Sequence, residues 1–572
     1  MTNDDRTDRP ATHPDAGADT GADAGSRTAP AAVAGSDAGG GGSNRLFRFL
    51  SGGGQGTVTA AASIVIIGFL GSRALGLLRS VAIADAFGTD PELDAYWVAF
   101  RLPDLVFQVL AGATLSAAFI PTFSGIALRG GEAAAWRLAS SVLNLVALAT
   151  LAMAALAFIF APLIVPLLAP GLGEGSGRQD ELHGLAIELT RLMLLSPILF
   201  GVSGMATGML HARQRFWAPA LAPMIYNASI IFGAVALAPS FGVQGLAAGV
   251  LIGAGGHLLV QLPALRSAGM RWGPTFDVGS EGVREVGRLM GPRVLGLAAG
   301  QVNLVVIIFF ASFVSDGAVS AVNYAFLMMM LPVGIAGMAI STAIFPTLAQ
   351  QAAAQQLNAL RRSIVDSLRI ILFLSVPASA GLLLLAQPAV RLLFQRGAFD
   401  AASTDLVVDA LMLFALGVFA HAGIEILSRG FYALSDTRTP VQFAVLAMLA
   451  NLALCAAFVA PFGVRGLAAA GSLAAIAEFT LLLRALQSRL GGLDGGGLRR
   501  SSVQTILATV VMAEAVVLLT LMLRAAGADP RTADGAFVLT VIGGLGGLAA
   551  YALAALVLRS EEYSAILGRL RP

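Results

Sequence analysis

The sequence predicts an all-α polytopic membrane protein of fourteen transmembrane helices, built as two pseudo-twofold six-helix lobes followed by two C-terminal helices. Three observations predict it. Of the 572 residues, 56% are hydrophobic and only 12% charged, with a mean hydropathy of +0.79, a balance far from that of soluble domains. The apolar residues fall in continuous runs of about 20 residues or more, the length a hydrocarbon core of about 30 Å requires. A closed β-barrel, the other spanning solution, would alternate instead. The runs also repeat. GSRALG at 71–76 returns as GPRVLG at 291–296, AAFIPTF at 117–123 as TAIFPTL at 342–348, and GVQGLAA at 242–248 as GVRGLAA at 463–469.

Residues 1–55 are rich in Gly, Ala, Asp and Thr and hold too few large apolar side chains to offset the entropy of ordering, so a disordered cytoplasmic tail is expected there. It lacks the basic start, apolar core and cleavage site of a signal peptide. Runs at 58–87, 92–126, 134–164, 182–210, 217–238 and 243–265 form helices 1–6 of an N-lobe, 56–270. Runs at 287–313, 318–346, 366–393, 404–433, 440–460 and 464–486 form helices 7–12 of a C-lobe, 271–490. The last two, 502–524 and 536–558, fall in 491–572 with a short cytoplasmic C-terminus. Six helices duplicated in the same order keep their membrane orientation, so the lobes are related by an axis along the membrane normal and can rock about a central site. Arginines cluster in alternate connections, among them Arg129 and Arg137, Arg213 and Arg215, Arg361 and Arg362, and Arg499 and Arg500. By the positive-inside rule these connections, and both termini, are cytoplasmic.

Composition also excludes chemistry. All 36 basic residues are Arg, and without Lys there is neither a Walker A loop nor a Schiff base. Cys455 stands alone, and the five His have no metal-ligand spacing. No metal, cofactor or enzyme constellation is readable, and the chain reads as a transporter rather than an enzyme.

The informative residues are charges inside the spans, where an arginine near the bilayer centre costs about 2.5–3.5 kcal/mol unless it faces a watery or anionic interior. Arg73 and Arg79 lie in the first span, six apart and so about 120° apart around the helix. The second carries Asp94 and Arg101 on one face, with Asp104 about 80° away. Neutralisation of an arginine by either acid is the simpler alternative to a substrate role. The repeat sets Arg293 opposite Arg73. An interhelical hydrogen bond explains Gln301 and Asn303 as well as substrate contact does. Glu425 and Arg429, with His421 on the same face, suggest an internal ion pair. Met328, Met329 and Met330 are most simply packing.

At SRALGLLRSVAIADAFG, LDAYWVAFRLPDL and AAFIPTF, then GMLHARQRFWAPALAPMIYN and GFYALSDTRTP, the chain resembles the MurJ (MviN) family of lipid II flippases, within the multidrug/oligosaccharidyl-lipid/polysaccharide exporter superfamily. The resemblance covers nearly everything after the tail. It implies flipping of an undecaprenyl-diphosphate-linked peptidoglycan precursor from the inner to the outer leaflet of the bacterial cytoplasmic membrane by alternating access. It implies substrate-binding roles for Ser72, Arg73, Arg79, Ala84 and Asp94, and a groove for the prenyl tail formed by the two extra helices. Guanidinium groups suit a diphosphate because each forks onto two oxygens and stays charged.

The chain departs from the family in three places. Phe107 stands where members have a further arginine, and Phe326 and Leu327 where they have an acid–arginine pair. Arg293, with Arg101 as a second candidate, is therefore expected to take over part of the diphosphate contact. Asn451 is followed one turn later by Cys455 rather than Asp, so no sodium site is expected. Partners implied are lipid II or a related prenyl-diphosphate lipid, the bilayer and other cell-wall synthesis proteins, with no nucleic acid. The competing readings are a flippase for another prenyl-diphosphate glycan and a non-transporting scaffold for cell-wall enzymes. A drug antiporter is disfavoured, since cations call for an acidic cavity.

Overall fold

The computed structural model describes residues 56–110, 113–493 and 495–564. The expected tail at 1–55 lies outside them. Every regular element among the described residues is helical. The first half holds α1 (Gly56–Phe87), α2 (Pro91–Leu110), α3 (Ala113–Leu168), α4 (Gln179–Met193), α5 (Leu195–Ala212), α6 (Trp217–Phe232), α7 (Ala238–Leu259) and the short α8 (Leu262–Ser267). The second holds α9 (Glu281–Ala311), α10 (Ala318–Pro332), α11 (Ile340–Ala353), α12 (Leu357–Leu384), α13 (Ala386–Phe394), α14 (Ala401–Ala415), α15 (Val418–Ala433) and α16 (Arg438–Arg489). Two more, α17 (Gly495–Ala525) and α18 (Ala533–Val557), close the chain. A π-helical turn at Gly233–Leu237 joins α6 to α7, and another at Val333–Ala339 joins α10 to α11.

By length and hydropathy nine described segments can cross a membrane, or ten if α14 and α15, bent by 47°, form one span. The fourteen of the sequence reading is reached only by dividing three stretches of 51 or 52 residues at glycines with non-helical backbone, Gly131, Gly242 and Gly463, and by adding the 31-residue α9.

Two of those glycines give the repeat its structural meaning. Gly242 and Gly463 open the GVxGLAA motifs and take nearly the same backbone, φ 55 and ψ −141 against φ 55 and ψ −132. Positive φ with that ψ is open to glycine and strained for other residues. The fourth residue of each motif then packs against backbone eight positions earlier. A Cβ on Gly245 would lie 2.7 Å from the carbonyl carbon of Leu237, and one on Gly466 would run into the Phe458 carbonyl. The motif is thus a helix reversal, written once in each half. Gly466→Ala should destabilise the protein by about 1–3 kcal/mol, read as a fall in detergent melting temperature. Gly184→Ala, with nothing within 4 Å of the new methyl, is the control that should not move it.

The last two helices pack on α12 and α13 through Phe373, Leu385, Met512, Val516 and Tyr551. Tyr551 donates its hydroxyl to the Phe373 carbonyl at 2.7 Å. Arg369 clamps the chain beyond α18, donating to Glu562 and Glu561 at 2.7 Å each. Glu562, 3% exposed, also accepts from Ser501 and Ser560. A buried carboxylate needs such a full set of donors.

Candidate functional site

The two halves are fastened to each other at one end of the bundle. Asp94, only 2% exposed on α2, accepts from the Gly317 and Ser320 amides at 2.7 Å each and from the Ser320 hydroxyl at 2.5 Å. These are the free N–H groups at the start of α10, whose N-cap residue Gly317 has no side chain to satisfy them. A carboxylate is the natural partner for that positive helix end. Around this latch Thr89 and Ser403 share a hydroxyl hydrogen bond at 2.9 Å, the Ala398 amide donates to the Asp85 carbonyl at 2.8 Å, and the Gly171 amide to Ser312 Oγ at 3.1 Å. One step deeper, Arg101 donates to Asn323 Oδ1 at 2.9 Å, also across the halves. At the opposite end the halves are tied through the segment that leads into α9: Asn144 of α3 donates to the Gly273 carbonyl at 3.0 Å and accepts from the Trp272 indole at 3.1 Å, Ser141 donates to Thr275 at 3.1 Å, and α9 then begins among first-half side chains through Val283 and Val286.

The shared face predicted for Asp94 and Arg101 is therefore realised, with both aimed at α10. Neither Asp94 nor Asp104 forms an ion pair with an arginine among the described residues; Asp104 accepts from Gln108 at 2.9 Å. Two of the expected substrate contacts are engaged with the protein itself in this arrangement. Asp94 is consumed by the latch, and Ala84, fully buried with Ile83 in the core joining the halves, presents no surface to a ligand. Ser72 acts through its carbonyl, which accepts from Asn227 at 3.4 Å and ties α1 to α6.

The arginines behave differently. Arg73 is exposed, its guanidinium 5.2 Å from the centre of the Phe69 ring. Arg79 is partly buried within electrostatic range of Tyr96 and Tyr226, and its Nε has no partner. Arg101 also leaves a buried Nε unpaired. Among the described residues none of the three has an acid within ion-pair distance. Elsewhere arginines do: Arg178 pairs with Glu181 at 2.6 Å, Arg369 with Glu562 at 2.7 Å and Arg429 with Glu425 at 3.1 Å. The side chains of Arg293 and Gln301 lie outside the described residues; the backbone there continues α9.

Several sequence features resolve as packing. Phe107, in place of a charge, packs tilted against Phe200 with ring centres 5.1 Å apart, and Phe200 in turn meets Tyr226 and His257 edge-on. Phe326 packs on Phe414. Met328 and Met329 are core. Asn303 accepts from Asn451 at 2.7 Å, and the Asn451 oxygen receives the Cys455 thiol at 3.6 Å. The DTRTP motif starts α16. Asp436 accepts from the Arg438 and Thr439 amides at 3.1 Å, the Thr439 hydroxyl at 2.7 Å and Arg489 at 2.6 Å. Hydrogen bonds from Thr439, with Arg489 adding to them, hold its carboxyl below the usual carboxylate range. That stabilisation is present above the ordinary aspartate pKa and lost as pH falls through the lowered one.

Sequence reasoning missed Asn323 and Tyr226, which pattern alone does not mark. It also missed Glu478, the one acid in the apolar stretch GSLAAIAEFTLLL, which the rarity of charges in spans does mark.

The family model described as lipid II flippase MurJ matches residues 83–528. A protein of Buchnera aphidicola named probable lipid II flippase MurJ is 31% identical over 451 residues, covering 77% of this chain and 86% of its own. One of Burkholderia cenocepacia named lipid II flippase MurJ is 30% identical over 459 residues, 79% of this chain and 88% of its own. A solved structure described as lipid II flippase MurJ in an inward closed conformation superposes with a TM-score of 0.70 at 25% identity, covering 88% of this chain and 99% of that one. An inward-facing multidrug resistance MATE family transporter of the MOP superfamily shares the fold, with a TM-score of 0.59 at 15% identity over 77% of this chain and 99% of that one.

Proposed function

Because the chain belongs to the lipid II flippase MurJ family, we propose that it flips the undecaprenyl-diphosphate-linked peptidoglycan precursor across the cytoplasmic membrane. The observation that carries this reading at the residue level is the set Arg73, Arg79 and Arg101, three cations on the spans with no ion-paired acid among the described residues, Arg101 having Asp104 only within electrostatic range. Cations held at such cost are kept for an anion that arrives. A diphosphate matches them, since each guanidinium forks onto two oxygens.

The two lobes, 56–270 and 271–490, would rock about this site. With both termini cytoplasmic, as the arginine distribution supports, the Asp94 latch closes the outer end, and the end where α3 is bonded to the segment leading into α9 faces the compartment where the precursor is made. Cargo enters from inside, the arginines take its diphosphate, and breaking the latch opens the outer end. The helices α17 and α18 lie outside the two lobes, where they would hold the prenyl chain against α12 and α13. Arg293, matched by the repeat to Arg73, shares the diphosphate contact in place of the charges lost at Phe107 and Leu327.

Expressing the full chain in cells depleted of their own flippase should restore growth, and Arg293→Ala should abolish that rescue at equal protein level. Full rescue by Arg293→Ala would remove Arg293 from the site. A well-expressed wild-type chain that rescues nothing would favour a different prenyl-diphosphate cargo or a scaffold role.

A further inference from the structure

A cavity of about 300 Å³ lies within the second half, walled by α9, α15 and both arms of α16. Most of its lining is apolar. The polar side chains are Asn303, His421, Ser428, Tyr432 and Glu478. Two close contacts set the depth of the titratable pair. A Cβ on Gly417 would lie 2.8 Å from Ser472 Oγ, and one on Gly423 would run into the Phe479 ring. The second arm of α16 therefore runs alongside α15 in parallel, with 417 level with 472 and 423 level with 479. His421 and Glu478 sit between these contacts, near the second, at one depth and on one cavity.

The groups facing this pair are accounted for element by element. On α9, Asn303 is already bonded to Asn451 at 2.7 Å. On α15, Arg429 is committed to Glu425 at 3.1 Å and to Thr342 of α11 at 2.9 Å. That ion pair lines an adjoining cavity of about 180 Å³ which shares Ser428 and Tyr432 with the first. Tyr432 is the remaining titratable side chain. The first arm of α16 contributes Pro440, Val441, Ala444, Ala447 and Met448, none charged, and α12 packs on α15 through Leu360, Ile364 and Leu368. Among the described residues neither the His421 ring nor the Glu478 carboxylate makes a hydrogen bond or ion pair. A carboxylate placed deep in a span without a cation is a functional group by default.

We propose that His421 and Glu478 form a proton-binding site whose loading couples movement of the second half to the proton gradient, an inference that rests on the flippase reading above. An imidazole and a carboxylate on one cavity suit a proton and ill suit sodium, a hard cation that prefers a full set of oxygen ligands. One proton from the outer water forms one O–H or N–H bond and brings the pair from a net charge of −1 to neutral, whichever atom holds it. On the inner side the same proton returns to water. Neutralising the pair lowers the cost of closing apolar helices around it, so loading biases the equilibrium between the two arrangements.

The test uses the full chain in liposomes containing lipid II, with the membrane potential clamped. An imposed pH gradient should raise the wild-type flipping rate at least about fivefold, and this ratio should fall to about one in Glu478→Gln and in His421→Gln. In parallel, infrared titration of substrate-free protein should show a protonated-carboxyl band that is absent from Glu478→Gln and displaced in His421→Gln. Retention of the gradient effect in both variants, stimulation by a sodium gradient instead, or no Glu478-dependent band would overturn the proposal. A wild-type protein that shows the band yet flips no lipid II would sink the flippase reading and leave the proton site standing.

Discussion

Arg79→Ala should lower the rate of lipid II flipping in proteoliposomes by at least about tenfold while leaving the melting temperature unchanged or slightly raised. The two halves of this expectation come from one observation. The Arg79 guanidinium is partly buried beside Tyr96 and Tyr226, its Nε unpartnered, and no acid among the described residues is within ion-pair distance. A charge-assisted hydrogen bond is worth about 1.5–3 kcal/mol, so losing one made to the cargo costs about one to two orders of magnitude in binding. Removing an unpaired cation from the free protein, by contrast, sacrifices no ion pair and relieves desolvation, the usual trade between activity and stability. Arg79→Lys keeps the charge but not the fork and should fall between. Arg369→Ala makes the opposite case: it strips Glu562 of a partner at 2.7 Å and should lower the melting temperature. An Arg79→Ala protein that is destabilised as much as Arg369→Ala, with flipping intact, would mean that Arg79 is a packing residue.

The second large effect is expected at the latch. Asp94→Ala leaves the Gly317 amide, the Ser320 amide and the Ser320 hydroxyl without their acceptor, at about 1–3 kcal/mol for each group that stays dry. Even the lower part of that range, about 3 kcal/mol in total, shifts the balance against the closed outer end by about two orders of magnitude. Thr89 and Ser403, whose hydroxyls are 2.9 Å apart, report on it. With Cys455 buried as the native thiol, a Thr89→Cys/Ser403→Cys protein should crosslink efficiently with Asp94 present and poorly in the Asp94→Ala background, and both changes should impair flipping. Equal crosslinking in the two backgrounds would show that Asp94 does not hold this end shut.

The sequence made the helices and the duplication legible because both are written in local patterns, apolar runs and short motifs. It could not convey what depends on residues far apart. Asp94 meets Gly317 and Ser320 more than 220 positions away, and nothing near Asp94 announces a helix start as its partner. Ala84 has the same history: its small size follows from full burial between the halves. The GVxGLAA motif was visible as a repeat, but its role as a reversal needed the backbone angles of Gly242 and Gly463. Phe107 is a loss when compared with charged relatives, yet in place it completes an aromatic cluster with Phe200 and Tyr226. Charges in spans were readable one by one; which of them stay unpaired was not. Arg429 and Arg79 look alike in the chain, and only the fold gives one an acid and leaves the other free.

The central claim is that this chain moves lipid II and that its unpaired arginines hold the diphosphate. Its most direct test is the exposure of lipid II to a membrane-impermeant probe in cells depleted of their own flippase and expressing either the wild-type chain or Arg79→Ala at equal level. The account predicts that lipid II becomes accessible with the wild type and stays protected with Arg79→Ala. Protected lipid II in cells expressing the wild type, or equal exposure with both proteins, would contradict it.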